Sequence, residues 1–142
     1  MPGNISNYLE TIILDWSLKG NSGNYSPPSA VYLGIATNDS SVPDELEQSD
    51  FTHEITGYNG DRKLITFGTI SQDADGRAQV SNTNTIEFEN MPAVTVGYAF
   101  IADTATKGEG NVLWWMPLET PKTTNAGDTL RVPENAVVVK VS

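Results

Sequence analysis

Residues 94 to 103 read VTVGYAFIAD and form the longest stretch of the chain that fits a core strand. β-Branched and aromatic side chains of this kind pack well on a pleated, half-buried surface. Residues 111 to 116, NVLWWM, form a second strand-like run, and the two runs are separated by a turn at Gly108-Glu109-Gly110. The centre of the chain therefore predicts β-structure.

Six further short strands are predicted on both sides of this centre, and they lie at residues 30–36, 64–68, 79–81, 85–89, 129–132 and 136–141. Ile86 and Phe88 alternate with polar residues, which is typical of a strand with one buried face. Helical periodicity does not return after Gly20, so strand–helix–strand units are not expected. About eight short strands between Gly, Asn and Pro turns predict an all-β fold, an antiparallel β-sandwich of jelly-roll-like type.

The N-terminal segment is the one good helix. Its apolar residues recur at helical spacing and form a stripe of Ile5, Leu9, Ile12, Ile13 and Trp16, and Tyr8 and Leu14 widen the apolar surface. Asn7 and Glu10 have the spacing of a capping box, and Gly20 stands where a helix should end. The stripe must pack either on the protein's own sheet or on a neighbouring subunit.

The chain is expected to form a single domain over residues 1–142, with a helix in 1–20 and a β-sandwich over 30–142. A long acidic loop at 37–59 interrupts the sandwich and exceeds an ordinary connection in length. Isolated apolar residues stand among its acids, namely Leu46, Phe51 and Ile55. This pattern suits a segment that becomes ordered on a partner.

Charge excludes several classes of function. Eight basic residues face 18 acidic residues, for a formal net charge of −10 over 142 residues. Binding to nucleic acid or to anionic lipid requires a basic surface, so neither a nucleic acid nor a membrane is expected as a partner. The chain has no cysteine, which leaves neither disulfides nor thiolate metal sites.

Enzymatic chemistry has little support in the sequence. His53 is the only histidine and lies in the acidic loop, with no nucleophile motif anywhere in the chain. The glycines at 108 and 110 do not open a helix and so do not form a phosphate cradle. The run Asp73-Ala74-Asp75-Gly76 is better explained as a β-turn than as a calcium loop. We therefore expect a protein that is not an enzyme and has no cofactor or metal.

The tryptophan pair points to protein–protein packing. On a strand, the side chains of Trp114 and Trp115 point to opposite faces, so one indole enters the core and the other faces outward. Burial of such a side chain is worth about 2–3 kcal/mol, so either the N-terminal helix or another subunit should cover the outer indole. A carbohydrate-stacking platform with Tyr98 or Tyr58 is a further alternative.

The C-terminal strand leads to the same expectation. Residues 136 to 141 read AVVVKV, and continuous β-branched residues are typical of a strand that is buried on both faces. In a monomeric sandwich one face would be wet, and an exposed apolar edge promotes aggregation. Association with other subunits would resolve both problems.

Several segments together resemble a known family. They are NYLE at 7–10 followed by Gly20, VYLGIAT at 31–37, Gly57-Tyr58 with Arg62, VGYAFIAD at 96–103, GNVLWW at 110–115 and GDTL at 127–130. Their order resembles a family of small virion proteins of tailed bacteriophages, described as tail-fibre-like or decoration proteins. The resemblance implies a virion structural role without catalysis.

The sequence hypothesis is a bacteriophage capsid decoration or cement protein that binds neighbouring capsid subunits, located in the virion and made in the host cytoplasm. The alternatives are a tail or tail-fibre attachment subunit, and a carbohydrate-binding β-sandwich module. Expected partners are the major capsid protein or tail proteins, and copies of the chain itself. The expected contact residues are Ile5, Tyr8, Leu9, Trp16, Leu46, Phe51, Ile55, Trp114 and Trp115.

Overall fold

The computed structural model describes residues 4–20 and 25–141. Its elements in chain order are β1 (Asn4–Ile5), α1 (Asn7–Leu18), β2 (Val31–Thr37), α2 (Val42–Glu47), β3 (Lys63–Ile65), β4 (Ser71–Gln72), β5 (Ala78–Ser81), β6 (Ile86–Met91), β7 (Val94–Ala102), β8 (Val112–Thr124), β9 (Asp128–Val132) and β10 (Val138–Val141). All strand pairs are antiparallel. The predicted β-sandwich class with an N-terminal helix is confirmed.

The central sheet has the strand order β1-β8-β7-β2-β3. Its middle is the stretch that the sequence marked as the core strand, since β7 pairs with β8 on one side and β2 on the other. Gly34 of β2 lies opposite Phe100 of β7, and a Cβ atom at Gly34 would overlap the Phe100 ring. The absence of a side chain at Gly34 therefore lets this aromatic ring lie flat across the neighbouring strand.

One face of the central sheet packs on two smaller sheets, β10-β5-β4 and β6-β9. The side chains that they share form the main core, which includes Leu33, Ile35, Ile65, Ile86, Phe88, Met91, Val96, Ile101, Met116 and Val139. Each such large apolar side chain contributes about 1.5–3 kcal/mol by leaving water. This core is the interior of the sandwich.

The other face of the central sheet carries a second core. Phe100, Ala102 and Ala36 point to this side, opposite their neighbours Ile101 and Ile35, as the two-residue period of a strand requires. The segment 37–59 covers them, since Val42 and Leu46 of α2 complete the same cluster. The segment expected to be a polar loop is thus a folded layer with its own helix.

The start of α1 differs from the expectation by one residue. Ser6 is the N-cap, because its Oγ accepts a hydrogen bond of 3.2 Å from the Leu9 amide, while Asn7 is already helical. Ile5 belongs to β1 and not to the helix. The helix ends at Leu18, and Gly20 follows with a φ of +70°, a conformation that suits glycine.

The strand bounds differ from the predicted ones by one to three residues at one or both ends, except in β8, which differs most; β1 and β4 were not predicted. β8 continues to Thr124, eight residues beyond the predicted end at Met116, and it stays paired with β7 through Lys122, Thr123 and Thr124. The C-terminal strand is buried less completely than its valines suggested, since Val141 is 59% exposed. In the described part of the chain, β10 pairs with β5 on one side and with no strand on the other.

Candidate assembly surface

Few contacts attach α1 to the body of the protein. Asn4 and Ile5 pair with Trp115 and Trp114 at the edge of the central sheet, and the Ser6 amide donates to the Leu113 carbonyl at 3.0 Å. Beyond this short strand, the helix buries none of its twelve residues. α1 therefore lies on the surface along its whole length, with its best-defined attachment at its N-terminal end.

The helix is apolar on two sides. Its first apolar side, Leu9, Ile12, Ile13 and Trp16, lines an open groove of about 430 Å³ together with Tyr25 and Pro27. At about 100° per residue, Leu14 and Leu18 lie on the opposite side of the helix. Leu14 is 56% exposed, Trp16 63% and Leu18 76%. Apolar side chains exposed on two sides of one helix are an unusual surface for a protein in solution, and they indicate a contact with another molecule.

The tryptophan pair is covered by the chain itself. Trp114 packs against the main core, and Trp115 packs against the second core. The Trp115 Nε1 atom donates to Glu47 Oε1 of α2 at 2.6 Å, and its ring lies 6.2 Å from that of Tyr98. The cover of the outer indole thus comes from α2, which the sequence hypothesis did not name, and from Tyr98, which it named only as part of a carbohydrate-stacking platform.

The residues predicted from the acidic segment have internal roles. Leu46 is 2% exposed and Ile55 4%, and Phe51 is half-buried with its ring 5.7 Å from that of Phe100. They pack within their own chain, so the proposal below rests on other residues. Leu46 and Phe51 cover the second face of the central sheet, whereas Ile55 enters the main core.

A buried ion pair, which the sequence hypothesis did not identify, fastens this layer. The Arg62 and Glu54 side chains are both fully buried, with distances of 2.8 Å from Nε to Oε2 and 2.9 Å from Nη2 to Oε1. Arg62 Nη1 also donates to the carbonyls of Thr104 and Glu109, and the Gly108 amide donates to Glu54. The pair thereby ties segment 37–59 to the loop between β7 and β8.

Aromatic rings complete the surroundings of this ion pair. The Arg62 guanidinium lies 4.6 Å from the centre of the Phe51 ring and 5.1 Å from that of Phe100, within the range of cation–π attraction. Arg62 belongs to the Gly-Tyr-Arg segment of the family resemblance. That segment was the one signal in the sequence that could have indicated this cluster.

Tyr58 is unavailable for stacking on a sugar. It is 4% exposed, its ring meets Phe88 edge-on, and burial raises the pKa of its hydroxyl. Lys107 closes the site from outside, with Nζ 3.8 Å from the Tyr58 ring centre and bonded to the Thr56 and Tyr58 carbonyls. The carbohydrate-binding alternative therefore loses one of its two named tyrosines.

His53 lies among carboxylates. Its Nδ1 is 2.8 Å from Glu45 Oε1, and its Nε2 is 3.7 Å from Asp39 Oδ2. The hydrogen bond to Glu45 is the main cause of a raised His53 pKa, and the charges of Asp39 and Asp50 act in the same direction. Within the described residues, no serine or threonine hydroxyl is hydrogen-bonded to the imidazole. The arrangement ties α2 to the following segment.

The turn at residues 73–76 is confirmed. The Gly76 amide donates to the Asp73 carbonyl at 3.0 Å, and Gly76 has a φ of +78°. Asp73 Oδ1 accepts from the amides of Asp75 and Arg77, which holds the pKa of the Asp73 carboxyl below its usual range. Its carboxylate is thus committed to the turn.

Comparison with known families identifies the kind of protein that carries this surface. Residues 4–140 match the model of the family described as Podophage GP4 fiber I protein gp80. The chain belongs to this family. The predicted resemblance to small virion proteins of tailed phages is thereby confirmed, and this fibre-family protein is a bacteriophage virion structural protein that interacts with other virion proteins.

No curated protein matches the fibre-family chain. In the part of the chain that the structure describes, no helix is long and apolar enough to cross a membrane.

Proposed function

We propose that this chain is a non-enzymatic subunit of a phage tail fibre or of its attachment site, and that α1 anchors it to another virion protein. The observation that carries the proposal is the helix that is apolar on two sides and has no buried residue. The family description favours a fibre over the capsid surface that the sequence hypothesis placed first. Tyr8, Leu9 and Trp16 remain the proposed contacts, and Leu14 and Leu18 join them.

The energetics support an anchor that acts together with other contacts. Burial of the exposed parts of Ile13, Leu14, Trp16 and Leu18 would contribute on the order of 5 kcal/mol. Association costs about 4–15 kcal/mol in lost freedom of movement and ordering. Burial of the helix alone therefore offsets the cost of association only at the lower end of this range. Stable assembly needs further contacts.

The proposal of a protein without catalysis is supported by the surroundings of the titratable groups. His53 is bonded to a carboxylate, Arg62 and Glu54 neutralise each other inside the fold, and Lys107 donates to backbone carbonyls. Each of these groups stabilises a segment of the fold. Their arrangement is that of a structural protein.

Incorporation into phage particles tests the anchor. We expect the double variant Leu14→Glu, Leu18→Glu to fold but to be lost from purified virions, because charged residues cannot enter an apolar interface. The matched control is Leu64→Glu on β3, since Leu64 is 49% exposed and lies at the opposite edge of the central sheet from β1. Normal incorporation of the double variant would refute the anchor.

A further inference from the structure

A second open groove lies between the distal half of β8 and the strands β9 and β10. Its volume is about 510 Å³, within the range of sites that hold a ligand or a protein side chain. Its apolar lining includes Leu118, Leu130, Val132, Pro133, Ala136 and Val138. The extension of β8 beyond Met116 supplies one wall of the groove, and Ile35 and Ala99 of the main core also line it.

The rim of this groove carries positive charge in an acidic protein. Lys122 and Arg131 line it, against the single carboxylate of Glu119. Among residues 4–20 and 25–141, Lys122 has no ion pair, and Arg131 is paired only at 4.0 Å, with Glu87.

The other basic residues of the body are already engaged. Arg62 pairs with Glu54, and Arg77 and Lys140 both pair with Asp73. Lys63 and Lys107 donate to backbone carbonyls. In the described body of the protein, the groove thus combines available positive charge with open apolar surface. A ligand that fits it would present apolar side chains flanked by acidic residues.

α1 presents such a ridge. Leu14 and Leu18 are four residues apart and lie next to each other on one side of the helix. At about 100° per residue, Glu10 falls on one flank of this ridge and Asp15 on the other. Lys19, the one base near the helix, falls farther from the ridge than either acid. The pattern of acid, leucine ridge and acid complements a basic-rimmed apolar groove.

We propose that the groove holds the Leu14–Leu18 ridge of α1 from a second copy of the chain. This inference rests on the proposed function, in which α1 is buried in an assembly, and it identifies the partner as the chain itself. Within one chain, α1 is attached beside Trp114 and Trp115, whereas the groove begins at Leu118, and no residue of α1 lines the groove.

A contact between two different surfaces of identical chains is head-to-tail. Such a contact repeats from copy to copy and builds either a closed ring or an open filament. The apolar lining of the groove leaves water in the same contact as the ridge, so its area adds to the contribution of the helix. A head-to-tail series of this kind would suit a fibre or a ring at its base.

Cysteine cross-linking tests the pairing, and the chain has no native cysteine to interfere. One copy carries Leu18→Cys, and a second carries Thr120→Cys in the groove. We expect a short bismaleimide to join these two copies several-fold more than it joins Leu18→Cys to Thr106→Cys. Thr106 is also an exposed threonine, lies in the loop between β7 and β8 and does not line the groove. Equal yields for the two pairs would overturn the proposal.

Charge reversal tests the complementarity. Lys122→Glu with Arg131→Glu in the groove copy should abolish the cross-link, and Glu10→Lys with Asp15→Lys in the helix copy should restore it. The control Lys19→Glu in the helix copy should leave the wild-type yield unchanged. If the groove copy with Lys122→Glu and Arg131→Glu cross-links as well as the unsubstituted groove copy, the proposal is contradicted.

The two hypotheses fail in different ways. If Leu14→Glu, Leu18→Glu protein is lost from virions while the cysteine pair does not cross-link, α1 binds a different virion protein and the head-to-tail contact is refuted. If that variant enters virions normally, the anchor itself is refuted, and the head-to-tail contact with it.

Discussion

At the scale of single residues, the fold depends on a few buried contacts that cross between segments. Arg62 joins three parts of the chain, and Gly34 makes room for the Phe100 ring. The sequence indicated that Phe100 belongs to a core strand, but it could not show that Glu54 is the partner of Arg62. That pairing depends on how segment 37–59 folds back, which local patterns do not encode.

We expect Arg62→Met to destabilise the protein by about 3–5 kcal/mol, because the Glu54 carboxylate would be left buried without its cation. Urea unfolding followed by circular dichroism measures the effect. Arg131→Met is the matched control, since its side chain is 64% exposed and its ion pair is worth about 0–1 kcal/mol. Equal losses for the two variants would show that the buried ion pair does not fasten the layer.

Gly34→Ala should destabilise the protein by about 1–3 kcal/mol, since the added methyl group overlaps the Phe100 ring. Phe100→Leu in the same chain should recover part of this loss, because it removes the obstructing ring atoms. The free energies of unfolding of the single and double variants form a cycle that measures this coupling. Additive losses would contradict the overlap.

His53 predicts a pH dependence with a definite sign. Its pKa is raised above 6.5 by Glu45, Asp39 and Asp50, so the charged imidazolium is favoured in the folded state. The contribution of His53 to the free energy of unfolding is complete below about pH 6.5, and it is lost as the pH rises through the pKa of His53 in the folded state. The stability difference between wild type and His53→Gln should therefore shrink between pH 6 and pH 9. A difference that grows with pH would contradict the assignment.

At the scale of elements, strands were predictable and the layer over the second sheet face was not. The period of two placed Ile86 and Phe88 correctly in the core of β6. Segment 37–59 was misjudged because α2 is only six residues long and its apolar residues are too sparse to show periodicity. The predicted N-cap, Asn7, lies one residue after the observed one, Ser6. Both residue types are good caps, so the sequence alone does not select between them.

We expect α1 to be the least protected helix in the free protein. Its amides should exchange with solvent much faster than those of β7, because no side chain of α1 is buried, whereas β7 is paired on both sides. Hydrogen exchange with mass spectrometry on the purified protein measures this difference. Equal protection of α1 and β7 would show that the helix is stabilised without a partner.

At the scale of the whole molecule, the sequence led to the right class of protein, and its predicted contact residues differ in how far the chain itself buries them. The excess of apolar surface at the N-terminal helix is present, whereas the tryptophan pair is half-buried and the acidic segment packs largely on its own chain. Pattern analysis shows that a residue is apolar but not which of two neighbouring layers covers it. Only the three-dimensional structure shows whether an apolar residue is covered by its own chain or left for a partner.

The most direct test of the account is a cryo-electron microscopy reconstruction of the intact virion at side-chain resolution. The account predicts that α1 lies inside a protein interface, with density from another subunit against Leu14, Trp16 and Leu18. A reconstruction in which this chain occupies the particle with α1 facing solvent on all sides would contradict it.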